Sequence, residues 1–159
     1  SSDYIIYNAS VIGDEHVGSL SNEIINHEIW HYFDDSVIED AKLEKVSSDP
    51  SDSSAYRDAE TKVFAKWVAT NVNGIDAYND YVDSEVELIH PKPGFITDYA
   101  LADPWEDRAE VFEAMMSPGQ RAGLKKFAAI DPILKAKIDL IYTAVDRLGV
   151  DSKTELFEH

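Results

Sequence analysis

Residues 27–31 read His-Glu-Ile-Trp-His, with two histidines four positions apart and a glutamate directly after the first. On an α-helix, positions i and i+4 lie one turn apart on the same face, so His27 and His31 can reach one zinc ion. Zinc makes a water molecule acidic, and Glu28 can accept the proton that this water loses. Such a pattern arises by chance in a chain of this length with odds on the order of one per cent, so it predicts a hydrolytic zinc site.

A catalytic zinc site also needs a third protein ligand and one open position. In some zinc peptidases a glycine and a third histidine follow the pattern on the same segment, but here Asp34 and Val37 occupy those positions. The third ligand must therefore come from another part of the chain. Glu106 is the leading candidate, and Asp98 is the alternative.

Glu106 and Glu110 follow the dipeptide Asp103-Pro104, which is a good helix start. Being four positions apart, the two glutamates project from one face of that helix, so one can bind zinc while the other orients a ligand histidine. Asp103 and Glu106 also fit a capping box, in which Glu106 would reach back to the backbone of Asp103. The two-histidine pattern in the same chain favours the metal-ligand role.

A strand and a series of helices are predicted to position these residues. Residues 4–9 are β-prone and predict an N-terminal strand, followed by a loop that contains Gly18. A helix beginning near Ser19 or Ser21 then carries both histidines. Its apolar residues at helical spacing are Ile25, Ile29 and Tyr32.

Downstream of a polar loop at 47–54, most of the chain is predicted to be helical, with an edge strand as an option at 85–90. The predicted helices cover 55–71, 76–82, 103–116, 119–128 and 132–149. These elements define an α+β fold that is predominantly α-helical, with a small N-terminal β element and an active-site helix. No internal repeat is found, and we expect a single domain over residues 1–159.

The composition limits the classes of partner. The chain has 31 acidic and 14 basic residues and a net charge of −17, which disfavours nucleic acid and anionic membranes because both would be repelled. Its 159 residues contain no cysteine, so neither disulfides nor thiolate metal ligands are available. No apolar stretch is long enough to span a bilayer, and we expect a monomer that acts on a protein or peptide.

Two segments of the chain together resemble a known group of zinc peptidases. In the first, residues 22–35, Tyr-Phe-Asp-Asp follows the second histidine. In the second, residues 94–116, Glu106 stands seven positions after Tyr99 and is followed by Asp-Arg-Ala-Glu. This pairing resembles the gluzincin-type zinc metallopeptidases related to the anthrax lethal factor catalytic domain, the Pro-Pro endopeptidases and similar bacterial zinc-binding metallopeptidases.

The resemblance implies a zincin-like metallopeptidase domain and a zinc-dependent endopeptidase that hydrolyses peptide bonds through a metal-activated water. It implies Zn²⁺ as the cofactor, a protein or peptide substrate, and secretion or display on a bacterial cell surface. The site residues that it implies are the metal ligands His27, His31 and Glu106, the general base Glu28, the supporting carboxylate Glu110, and Tyr99, whose hydroxyl stabilises the oxyanion.

Two positions depart from that resemblance. Trp30 stands where many members of the group have a small residue, and Arg108 stands where close members often have an apolar one. We therefore expect the packing around the active-site helix to differ locally.

Two other functions stay open on the residues alone. A non-catalytic, zinc-stabilised protein-binding module would need the metal ligands but neither Glu28 nor Tyr99, and the presence of both favours the peptidase. A metal-free helical interaction domain would carry the histidine pattern by accident. His90 is predicted to be a surface or loop residue, with a position lining the cleft as the alternative.

Overall fold

The computed structural model describes residues 17–44, 62, 64–78 and 88–147. These residues are predominantly helical, as predicted, and the described part of the chain contains no β-strand. The predicted strand at 4–9 and the polar loop at 47–54 lie outside the described residues. Among the described helices, none combines the length and apolar character needed to cross a membrane.

Five α-helices and two short 3₁₀ helices make up the described structure. The 3₁₀ helices are Gly74–Tyr78 and Tyr99–Leu101. The α-helices are α1 Val17–Glu44, α2 Ala65–Val68, α3 Pro104–Met116, α4 Pro118–Ala128 and α5 Pro132–Arg147. Helix α3 contacts α1, α4 and α5, so it lies at the centre of the packing.

Helix α1 begins earlier than predicted, and its buried face only partly coincides with the predicted apolar stripe. It begins at Val17, so Gly18 lies inside the helix rather than in a loop. The apolar residues Ile25 and Tyr32 are 36% and 48% exposed, whereas Trp30 is 1% exposed. Of the predicted apolar stripe, only Ile29 packs against the core, because α1 turns the side that carries the histidines toward α3.

The described residues 64–78 contain less regular structure than predicted. Within the described part of the predicted helix at 55–71, α2 covers only one turn, although Phe64 and Trp67 are buried as expected of a core segment. Gly74 has a φ of 56°, a left-handed conformation that glycine adopts without strain, and it begins a 3₁₀ helix. That 3₁₀ helix takes the place of the described part of the helix predicted at 76–82.

The edge strand predicted at 85–90 is not formed by its described residues, 88–90. The backbone N–H groups of Ile89 and His90 both donate to the carbonyl of Ile96, at 3.0 and 3.1 Å, which closes a turn. His90 has a φ of 52°, outside the range that a strand requires. The Pro and Gly residues that follow therefore reverse the chain before a ladder can start.

Helices α3 and α5 begin where they were predicted, directly after Asp-Pro dipeptides, and α4 begins at Pro118, one residue before its predicted start. The Asp103 side chain accepts a hydrogen bond from the backbone N–H of Glu106 at 2.9 Å, and Pro104 occupies the first turn of α3. Phe112, in the predicted apolar stripe of α3, packs against Trp30 of α1 with ring centroids 4.6 Å apart. Ile141 of α5 is fully buried in the same cluster, which joins α1, α3 and α5 in one core.

Candidate metal centre

Helices α1 and α3 bring three ligand atoms together. Nε2 of His27 lies 2.9 Å from Oε2 of Glu106, and Nε2 of His31 lies 3.3 Å from the same oxygen. The ligand atoms of all three residues lie within 4.8 Å of one another. The histidines are one turn apart on α1, and Glu106 lies in the first turn of α3, so the contact between the two helices forms the group.

The spacing of these atoms fits a divalent metal ion. Ligand atoms placed tetrahedrally at 2.0–2.2 Å from a zinc ion lie roughly 3.3 Å apart. The separation between His31 and Glu106 equals that edge at 3.3 Å, and the separation between His27 and Glu106 is slightly shorter at 2.9 Å because the two groups hydrogen bond. This partly buried group of two histidines and one glutamate can therefore bind a metal ion.

The second nitrogen of His27 is held by carboxylates. Nδ1 lies 3.2 Å from Oε1 of Glu110 and 3.3 Å from Oε2 of Glu113. Glu110 therefore lies where the sequence predicted a supporting carboxylate, able to orient the imidazole with Nε2 toward Glu106. Glu113 was not predicted, although its position three residues after Glu110 places it on the same face of α3.

Charge at this centre is unbalanced without a cation. Burial by itself would raise the pKa of Glu106, but hydrogen bonds to His27 and His31 outweigh it and lower the pKa to about 2. Burial by itself would lower the pKa of His27, but hydrogen bonds to Glu106, Glu110 and Glu113 outweigh it and raise the pKa to about 11. The carboxylates thus hold a proton on His27 in the metal-free protein, and a metal ion would displace it.

Glu28 and Tyr99 lie beside the candidate metal ligands His27, His31 and Glu106. Together with His27 they line a cavity of about 330 Å³. Glu28 is exposed, so its carboxylate is accessible to water in that cavity. The ring of Tyr99 lies 6.1 Å from that of His27, and its hydroxyl hydrogen bonds with Glu106.

Tyr99 is a hydrogen-bond donor at neutral pH. It lies in the 3₁₀ helix that directly precedes α3, which brings its side chain next to Glu106. Burial raises the pKa of the phenol, and the neighbouring Glu106 carboxylate raises it further. The hydroxyl therefore keeps its single proton, which it donates to Glu106 in this structure and can donate to a group in the cavity only after it rotates away from Glu106.

The two positions that depart from the family resemblance contact each other. Nε and Nη2 of Arg108 donate to the two carboxylate oxygens of Asp34, at 2.8 and 2.9 Å. The guanidinium also lies 5.3 Å from the ring of Trp30. Arg108 therefore forms a bidentate ion pair that ties α3 to α1 one turn beyond His31.

The two alternatives considered from sequence lie outside this centre. Two groups among the described residues could hold a metal ion, one of His27, His31 and Glu106 and the other of His27, Glu110 and Glu113, and Asp98 belongs to neither of them. His90 hydrogen bonds through Nε2 to Asp131 at 2.9 Å, and its ring stacks on Phe127 with centroids 4.8 Å apart. His90 is therefore a half-buried loop residue with a structural partner, as the favoured interpretation expected.

Comparison with known proteins finds no match: no family model, no curated protein and no solved structure matches the chain. The assignment of function therefore depends on the residues and their geometry.

Proposed function

We propose that this protein is a zinc-dependent endopeptidase with a zincin-like domain, in which His27, His31 and Glu106 hold the metal ion. The observation that carries the proposal is the convergence of Nε2, Nε2 and Oε2 of these residues beside a cavity lined by Glu28 and Tyr99. A set of two histidines and one glutamate is typical of catalytic zinc sites, where a fourth position stays open for water or substrate.

Each residue of the chain has a distinct part in this reaction. A zinc ion held there would acidify a water molecule and polarise the carbonyl group of the peptide bond. Glu28, exposed in the cavity, accepts the proton from that water and can deliver it to the leaving amine. The Tyr99 hydroxyl donates a hydrogen bond to the negative charge that develops on the attacked carbonyl oxygen. Glu110 holds the His27 ring in the ligating orientation.

Zinc is the metal that this donor set favours. Imidazole ligands suit zinc, and a single carboxylate completes a common catalytic set, whereas calcium and magnesium are bound by oxygen ligands alone. The chain contains no cysteine that would favour a structural thiolate site. An open cavity beside the ligands also favours a catalytic site over a closed structural one. Secretion or display on a bacterial surface stays a prediction from the resemblance.

The test is the cleavage of a diverse peptide library by the zinc-loaded protein. We expect cleavage by the wild-type chain, no cleavage after removal of zinc with a chelator, and recovery when zinc is added back. Glu28→Gln should keep the zinc and lose nearly all turnover, since it removes the base and leaves the three ligands intact. Asp35→Asn, which removes an exposed carboxylate from the same helix, is the matched control and should keep full activity.

Two outcomes would contradict the proposal. Turnover retained in Glu28→Gln would exclude the proposed mechanism. A wild-type protein that binds zinc tightly and gains thermal stability from it, yet cleaves no peptide in the library, would support the protein-binding module instead.

A further inference from the structure

A carboxylate buried in the core lies directly beside the metal-binding group in the sequence. Asp107 follows Glu106 in the first turn of α3 and is fully buried. Successive residues of an α-helix point about 100° apart, so Glu106 faces the histidines while Asp107 faces the interior. Any rotation or shift of this turn moves both carboxylates together.

Three donors from separate parts of the chain converge on one oxygen of this carboxylate. Oδ2 of Asp107 accepts hydrogen bonds from Nζ of Lys137 at 2.6 Å, Nε1 of Trp67 at 2.7 Å and the hydroxyl of Tyr78 at 2.8 Å. Trp67 belongs to α2, Tyr78 to the first 3₁₀ helix and Lys137 to α5. We call these four residues the Asp107 network, and they anchor the first turn of α3 from three directions.

Lys137 also contacts the turn at Gly94 and Phe95, which precedes α3 in the chain. Its ammonium also donates to the carbonyl of Gly94 at 2.8 Å and lies 3.9 Å from the ring centroid of Phe95. The side chains of Lys137 and Asp107 are both 0% exposed. The pair is thus surrounded by protein, and each charge is compensated mainly by the other.

Burying the two charges of the Asp107 network costs free energy, because both must be removed from water. Burial raises the pKa of Asp107 and lowers that of Lys137, although each charge favours the ionised form of the other. Oδ1 of Asp107 is buried and has no hydrogen-bond partner among the described residues. Buried ion pairs of this kind are often no more stabilising than apolar residues of the same volume. Stability alone therefore gives little reason for the network.

We infer that Asp107 is a positioning residue for Glu106, and that the Asp107 network fixes the first turn of α3 so that the Glu106 carboxylate stays aimed at the two histidines. The inference rests on the proposed metal site and names the device that orients its third ligand. Arg108, the next residue, is anchored to Asp34 of α1 in the same way. Glu106 is thus followed in the sequence by two residues in buried ion pairs, one to α5 and one to α1.

The test measures metal binding and not turnover. Tyr78→Phe removes one donor to Asp107 and leaves the ring in place, and the double variant Asp107→Asn/Lys137→Met removes both charges together. In each folded variant, we expect zinc affinity to fall roughly 10-fold or more, as for other partners that orient a ligand, with the larger loss in the double variant. With cobalt in place of zinc, the visible absorption bands should shift, because a displaced Glu106 changes the geometry around the metal.

Tyr142→Phe is the matched control, since it removes a tyrosine hydroxyl from α5 that lies near the charges of Arg121 and Asp139 and is not one of the three donors to Oδ2 of Asp107. It should keep the wild-type zinc affinity and cobalt spectrum. If the double variant does not fold, Tyr78→Phe decides alone. Variants of the network that lose thermal stability but keep the wild-type zinc affinity and cobalt spectrum would overturn the positioning role. Those results would not contradict the proposed peptidase function. A wild-type chain that binds cobalt but cleaves no peptide would contradict the peptidase function and leave the positioning role standing.

Discussion

Helix α3 carries two charged clusters on adjacent residues, and the two are built in opposite ways. At the metal centre, Glu106, Glu110 and Glu113 surround the His27 imidazole at the wall of an open cavity. In the Asp107 network, one carboxylate faces one ammonium, and both are closed off from solvent. The first cluster has more negative than positive charge, while the second is balanced by residues of the chain itself.

This difference in charge favours different roles for the two clusters: binding of a cation by the first, and support of the surrounding helices by the second. A cluster with unbalanced negative charge attracts a cation from outside, whether a proton on His27 or a metal ion. A balanced and buried cluster has no charge left for a ligand, and its hydrogen bonds restrict how the surrounding elements can move. Changes to the two clusters should therefore have different consequences, and those to the buried cluster should perturb the protein most.

Removing one charge from the Asp107 network should lower the free energy of unfolding more than any other change considered. Lys137→Met leaves the Asp107 carboxylate buried without its cation, and we expect the free energy of unfolding to fall by about 3–5 kcal/mol. Urea denaturation of the metal-free protein measures this loss. Lys135→Met, which removes an exposed lysine from the same helix whose ion pair lies in solvent, should cost less than about 1 kcal/mol. Equal losses in the two variants would show that the buried pair is not a separate stabilising unit.

Removing one ligand from the candidate metal centre should weaken zinc binding strongly and leave the fold intact. For His31→Ala we expect the zinc affinity to fall by more than the roughly 10–100-fold that the loss of an outer partner costs. Competition with a chromophoric chelator measures the affinity. His90→Ala, which removes a histidine paired with Asp131 elsewhere, should bind zinc as the wild type does. An unchanged affinity in His31→Ala would exclude the proposed ligand set.

Metal binding at the open cluster should depend on pH, because the ion must displace the proton on His27. The pKa of His27 is raised to about 11 in the metal-free protein, so the imidazole is protonated throughout the neutral range. Zinc affinity should therefore fall about tenfold for each unit by which the pH is lowered between about pH 8 and pH 7. Calorimetry in buffers of different ionisation enthalpy should detect about one proton released per zinc bound. Release of no proton would contradict this charge state.

A weaker effect is expected on the choice of substrate. Glu23 and Glu113 line the same cavity as Glu28, so the open cluster extends its negative charge along the cavity wall. We expect peptides with a Lys or Arg side chain to be cleaved a few-fold faster than neutral analogues, and the preference to weaken in high salt. Glu23→Gln should reduce the preference, whereas Asp35→Asn should not. A preference for acidic peptides would contradict this electrostatic expectation.

The candidate metal centre shows which site residues could be predicted from local sequence and which could not. His27 and His31 were predicted because a helix places positions four apart on one face, a property of the backbone alone. The sequence left open whether the Glu106 carboxylate reaches back to the Asp103 backbone or binds a metal ion. In the structure the Asp103 side chain caps the helix, and the Glu106 carboxylate contacts the histidines. Glu113 was missed, because only the packing of α3 on α1 brings it within 3.3 Å of His27.

The misplaced elements have a similar cause. Ile25 and Tyr32 have helical spacing, but the spacing does not indicate which face of α1 meets another helix, and both remain exposed. The edge strand at 85–90 had the right alternation, yet a strand also needs a partner, and the described residues 88–90 bond to a turn carbonyl instead.

Local sequence was sufficient for the starts of α3 and α5, the pair of histidines on one helix face and the acidic surplus, because each follows from composition or from residues a few positions apart. Tertiary packing was needed to join Glu106 to the histidines, Asp107 to Lys137, and Arg108 to Asp34. Those partners are separated by 30 to 79 positions along the chain. Contacts at that range depend on the packing of whole helices, and no local spacing encodes it.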